Sequence, residues 1–141
     1  MQSWQATLFF DTPNQLYGIG GYAAVALIGA AMLAGATFKR AFWVLTTLGL
    51  FAAYSWLMWM FYQAVFVIGF LCLYCMAVWA IHIILWWVFL PWALKQGMLG
   101  SSPAAKKLGA QWLPYSWIVI VINYAVIGLS ILIQFPLLFS V

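Results

Sequence analysis

Hydrophobic positions in this chain come in long blocks rather than in alternation, and the few charged positions gather between the blocks. Residues 17–37 form the first block. As a helix they reach about 31 Å, which matches the hydrocarbon core of a bilayer. Small residues recur along it at four-residue spacing (Gly20 with Ala24, then Ala26, Ala30 and Ala34), a pattern that lets another helix approach closely. From residue 41 to residue 94 no Asp, Glu, Lys or Arg occurs. That run equals about 81 Å of helix, too long for one crossing, so it predicts two spans joined by a tight turn. Counting from Phe42 puts the turn near residues 63–69, with Gly69 as the helix weakener. The spans expected are residues 17–37, 42–65, 70–92 and 115–136. Pro91 helps end the third, and Pro114 suits the first turn of the fourth. Residues 95–114 are expected as a loop. Residues 1–12 carry Trp4, Leu8 and Phe9 among polar positions, a pattern that fits either a short amphipathic helix in the headgroups or a frayed end. The fold class expected is an all-α membrane protein, with four transmembrane helices in an antiparallel bundle, a short N-terminal interfacial segment and a single domain over residues 1–141.

Composition supports this picture. The 141 residues are 69% hydrophobic and 4% charged, with a mean hydropathy of +1.10. A soluble domain of this size has no interior large enough for so much apolar surface. Long apolar runs without alternation favour helices over a barrel. The net charge of +4 comes from five basic residues in two short segments, Lys39-Arg40 and Lys95 to Lys107. These are topology signals, and no nucleic-acid motif accompanies them. The positive-inside rule places both basic segments in the cytoplasm and both termini outside. Residues 1–12 lack the basic start and apolar core of a secretory signal peptide.

Chemistry is concentrated in Cys72-Leu-Tyr-Cys75, the chain's two cysteines. The spacing puts both sulfurs on one helical turn, where a disulfide can form and break. The predicted topology sets the pair at the non-cytoplasmic, oxidising end of the third span. Cys72 would sit in the first turn, where the helix N-terminus stabilises a thiolate, and Cys75 one turn deeper in drier surroundings. Three readings stay open on the residues alone: redox chemistry, inert burial, and metal handling by Cys72, Cys75 and His82. A tetrahedral zinc site needs more ligands than these three supply. A structural disulfide across one turn would constrain almost nothing. His82, two turns below Cys75, is either a proton relay or a neutral histidine bonded to a helix carbonyl. Asn14 has the chemistry of a turn or helix cap. Trp79 lies one turn below Cys75 on the same face; Tyr17, Met60, Ala64 and Ile68 are either pocket wall or packing. Trp43, Trp92, Trp112 and Trp117 fall near the predicted boundaries, as in an aromatic belt.

Residues 66–80, Phe-Val-Ile-Gly-Phe-Leu-Cys-Leu-Tyr-Cys-Met-Ala-Val-Trp-Ala, resemble the bacterial branch of the vitamin K epoxide reductase family. So do Pro-Asn-Gln-Leu-Tyr-Gly at 13–18, residues 33–40 and residues 56–63. The resemblance covers roughly residues 1–135. It implies a four-helix bundle around a quinone (menaquinone, ubiquinone or a relative) that takes electrons from a thioredoxin-like partner on the non-cytoplasmic side. Cys72 matches the cysteine that exchanges disulfides with the partner, and Cys75 the one that faces the quinone. Asn14 matches an asparagine that hydrogen-bonds a quinone oxygen. Trp79 falls where some members use a tyrosine for the other oxygen. Tyr17, Met60 and Ala64 complete the expected pocket. The family's earlier span and its outer loop with a second cysteine pair are expected to precede this chain or to lie on another one. Two alternatives are a non-catalytic subunit and, within the same reaction class, the disulfide-bond formation protein B type, whose dithiol is expected in a loop after the first span.

Overall fold

The computed structural model describes residues 7–8 and 12–135. These fall into two units, Met1–Phe38 and Lys39–Val141, each taken by itself. In the first unit, β1 (Thr7–Leu8) and β2 (Thr12–Pro13) pair antiparallel. This short pairing stands where the sequence left a short amphipathic helix or a frayed end open; the rest of that segment lies outside the described residues. The helix α1 then runs Asn14–Leu33. It stops four residues before the predicted end because Gly35 turns left-handed, at φ +89°, and the Ala36 N–H closes back on the Ala31 carbonyl at 2.9 Å.

The second unit begins with α2 (Arg40–Tyr62), which continues without a break into a π-helical segment, Gln63–Ile68. Gly69 ends that segment in the left-handed region, at φ +70°, its N–H bonded to the Ala64 carbonyl at 3.0 Å. The wider π turns carry the second span beyond residue 65, so α3 starts at Leu73 rather than near Phe70. α3 runs Leu73–Lys95 straight through Pro91, which is fully buried inside it. The expectation that Pro91 helps end the span therefore fails. Proline removes one backbone bond, but tight packing against a neighbour holds the helix on both sides of it.

That neighbour is α4 (Pro103–Trp112), where the sequence predicted only loop. Ser102 and Pro103 supply a helix start, and the small face of α4 sits on the end of α3. A Cβ on Gly109 would lie 2.5 Å from the Lys95 nitrogen and 2.7 Å from the Pro91 carbonyl oxygen, so only glycine allows this approach. A 3₁₀ turn, Leu113–Tyr115, leads into α5 (Ser116–Gln134).

α2 and α3 run antiparallel. Trp43 and Trp92 meet at one end with ring centres 5.9 Å apart, and Phe61 and Trp79 at the other, 5.1 Å apart. Trp43 is buried there, so it serves the core rather than an aromatic belt; Trp112 and Trp117 are exposed. Polar side chains tie the three long helices at mid-depth. Tyr54 of α2 donates to Asn123 Oδ1 of α5 at 2.9 Å, and Tyr124 of α5 donates to the Ala80 carbonyl of α3 at 2.7 Å. Among the described residues, four helices are long and apolar enough to cross a membrane, which makes this an all-α, multi-pass membrane protein.

Candidate functional site

The dithiol lies where the chain leaves the tight turn and enters α3. Cys72 is the N-cap, in extended conformation (φ −93°, ψ 120°), with its carbonyl already accepting the first helical bond from Met76 N–H at 3.0 Å. It therefore stands just before the helix rather than inside its first turn. The side chain is exposed, and both cysteines are free thiols. At a helix N-terminus the first N–H groups have no partner of their own, and the Cys72 side chain stands beside them without a capping hydrogen bond. The Cys75 backbone N–H nearby holds its pKa below the ordinary cysteine value. Partial burial works the other way as the second-largest influence, ahead of the smaller lowering by the Cys75 thiol and by the Tyr74 N–H.

Cys75 faces the opposite environment. It packs against the buried cluster of Phe61, Val65 and Trp79, together with Ala64, Leu71 and Met76 and with Ile127 and Ile131 of α5. Three of the expected site residues, Ala64, Cys75 and Trp79, are thus brought together, and Cys72 adjoins them at the outer rim. Met60 is half-buried on α2, one position round from the line of buried Phe61 and Val65 and half-buried Leu57. Ile68 is exposed, because the π turns rotate it out of that line. Asn14 opens α1 and Tyr17 follows one turn later, both in the first unit; the Asn14 side chain lies outside the described residues.

Phe61, Val65, Leu71, Ile127 and Ile131 were not singled out from the sequence. The i, i+4 spacing of Leu57, Phe61 and Val65 was the available signal. The two isoleucines, more than 50 positions downstream of the cysteines, carried none.

His82 is buried, with Nε2 3.2 Å from the Leu50 carbonyl oxygen of α2 and Tyr54 stacked over its ring. Of the two sequence readings, the carbonyl-bonded histidine is the one seen. Among the described residues no group of three His, Cys, Asp or Glu lies together as a metal site would require. A narrow cleft lined by Trp87, Pro91, Trp112, Tyr115, Ser116 and Val119 lies at the far end of α3 from the cysteines.

The surroundings of Cys75 fit a quinone. They offer an apolar wall with aromatic edges and no charged side chain, beside a thiol able to take part in two-electron chemistry. A helical, multi-pass membrane protein with a dithiol capping one helix is the class these features define. The sequence model of the Vitamin K epoxide reductase family matches residues 1–90, from the N-terminal segment through both cysteines and most of α3. The chain belongs to that family, and so, in general terms, to the membrane oxidoreductases associated with quinones. No curated protein and no solved structure matches it.

Proposed function

We propose that the protein is a membrane thiol:quinone oxidoreductase that passes electrons from a thioredoxin-like partner through Cys72 and Cys75 to a quinone, supporting disulfide formation. The observation that carries this reading is the asymmetry of the pair. One sulfur is exposed, activated and at the rim; the other is packed into an apolar cluster one helical turn away.

In the oxidised protein the two sulfurs share a bond. A partner thiolate attacks Cys72 Sγ, the Cys72–Cys75 bond breaks, and Cys75 leaves as a thiolate. The partner's second thiol then displaces Cys72 from the mixed disulfide. The partner departs as a disulfide, and its two electrons remain on Cys72 and Cys75. The low pKa of Cys72 makes it the better leaving group in that last step. Cys75 would lie beside a bound quinone, which when present would supply the sink for the two electrons and two protons released as Cys72 and Cys75 re-form their disulfide. Met60, Ala64 and Trp79 would wall this site. An indole N–H on Trp79 can donate to a quinone oxygen but cannot accept from it. The partner would act from the non-cytoplasmic side of a bacterial cell membrane, and residues 1–141 would work as one domain.

The test is titration of the purified full chain with dithiothreitol, followed by organic extraction and assay of the amount and redox state of any quinone. A co-purifying quinone near one per chain, reduced by dithiothreitol in the wild type and untouched in Cys75→Ser, is expected. Protein without quinone, or equal quinone reduction in Cys75→Ser, would overturn the assignment and favour a non-catalytic subunit.

A further inference from the structure

The second unit carries every basic residue of the chain at the end remote from the cysteines. Lys39 caps α2 and Arg40 opens it; Lys95 closes α3; Lys106 and Lys107 lie on α4. Two of them bracket the turn between α3 and α4. Arg40 donates from Nη2 to the Leu99 carbonyl at 3.0 Å, and the Lys106 stem lies against Gly97. All five are exposed. The sequence holds one carboxylate side chain, Asp11, so a charge of +4 stays uncompensated within the chain.

Depth is set by length. Pro103–Gln134 is a nearly continuous helical stretch of 32 residues, about 48 Å. The hydrocarbon core takes about 30 Å, which α5 fills alone. α4 is therefore left at headgroup level. Gly109 on its small face is turned to α3, while Lys106, Lys107, Leu108 and Trp112 are exposed.

We infer that α4, with Arg40 and Lys95, forms a binding surface for anionic phospholipid headgroups of the adjoining leaflet. Leu108 and Trp112 enter the acyl boundary, and the lysines meet the phosphates. Charge complementarity selects this occupant: five basic side chains stand against one carboxylate side chain in the sequence, and the phosphates of that leaflet lie at the same depth. A zwitterionic headgroup offers no net charge to offset theirs. The inference is independent of the redox assignment.

Native mass spectrometry of the full chain, offered phosphatidylglycerol and phosphatidylcholine in equal amounts, tests it. Retention should favour phosphatidylglycerol by at least about fivefold, and each cation removed should cut the preference by up to about fivefold. Lys106→Gln with Lys107→Gln should largely abolish it, Lys95→Gln should lower it, and Lys106→Arg with Lys107→Arg should retain it. Equal retention of the two lipids by the wild type would overturn the inference, as would a preference unchanged in the double glutamine variant.

Discussion

At the scale of single residues the site rests on which atom faces a sulfur. The largest influence on Cys72 is a backbone N–H, that of Cys75, and not a neighbouring side chain. Replacing the Cys75 side chain should therefore leave much of the effect in place. A lowered pKa means that the thiolate is already present at pH values where an ordinary cysteine is still protonated. Iodoacetamide should accordingly modify Cys72 with a midpoint below that of free cysteine. In Cys75→Ala the midpoint should rise part of the way and stay below the free-cysteine value. A Cys75→Ala midpoint equal to that of free cysteine would show that the thiol, and not the helix terminus, activates Cys72. His82 shows the limit of reading residue type alone. An intramembrane histidine suggests proton relay, but its Nε2 bonds the Leu50 carbonyl and its ring stacks on Tyr54. Both contacts make it part of the α2–α3 joint.

At the scale of elements, two glycine positions make opposite predictions from the same substitution. Gly109→Ala puts a Cβ against the Lys95 nitrogen and the Pro91 carbonyl, atoms that cannot rotate aside. It should cost about 1–3 kcal/mol in an SDS-unfolding titration. Gly49→Ala in α2 meets nothing within 4 Å among the described residues. It should be neutral or gain up to about 1 kcal/mol from helix propensity. Equal effects at the two positions would mean that α4 does not sit on α3 as described. The Tyr54–Asn123 bond is a weaker joint. Tyr54→Phe should cost about 0.6 kcal/mol and no more than about 1.7, because the loosened helices find other partners in a membrane.

The elements also show what was legible in the sequence. The four long apolar blocks gave the spans to within a few residues, because bilayer thickness fixes helix length. The π turns at Gln63–Ile68 were not legible, since nothing in Gln-Ala-Val-Phe-Val-Ile distinguishes a wider helix from an ordinary one. α4 was legible only in part. Ser102-Pro103 is a helix start, but two glycines, two serines and a lysine pair nearby read as loop until a close-packing role for Gly109 is known. At the site, the spacing of Cys72, Cys75 and Trp79 was visible in the sequence. The α5 side of the cluster was not, because contacts between distant segments leave no local pattern.

At the scale of the whole molecule the question is which way the second unit faces. Cys72 precedes and Lys95 ends the same 23-residue helix, about 34 Å long, so the membrane core separates them. Sidedness of one therefore fixes the other. Moving one positive charge outward across a potential of 100 mV, inside negative, costs about 2.3 kcal/mol. The five cations at one end thus bias the unit strongly toward keeping that end in the cytoplasm. A membrane-impermeant maleimide added to intact bacterial cells should label Cys72. Lys106→Cys, placed in a Cys72→Ser, Cys75→Ser background, should label only in inverted vesicles. The reverse pattern would leave the fold intact but put the dithiol in the reducing cytosol, against the proposed role in disulfide formation. Labelling of both positions from one face would break the transmembrane assignment of α3 itself, so the two failures are distinguishable in a single experiment.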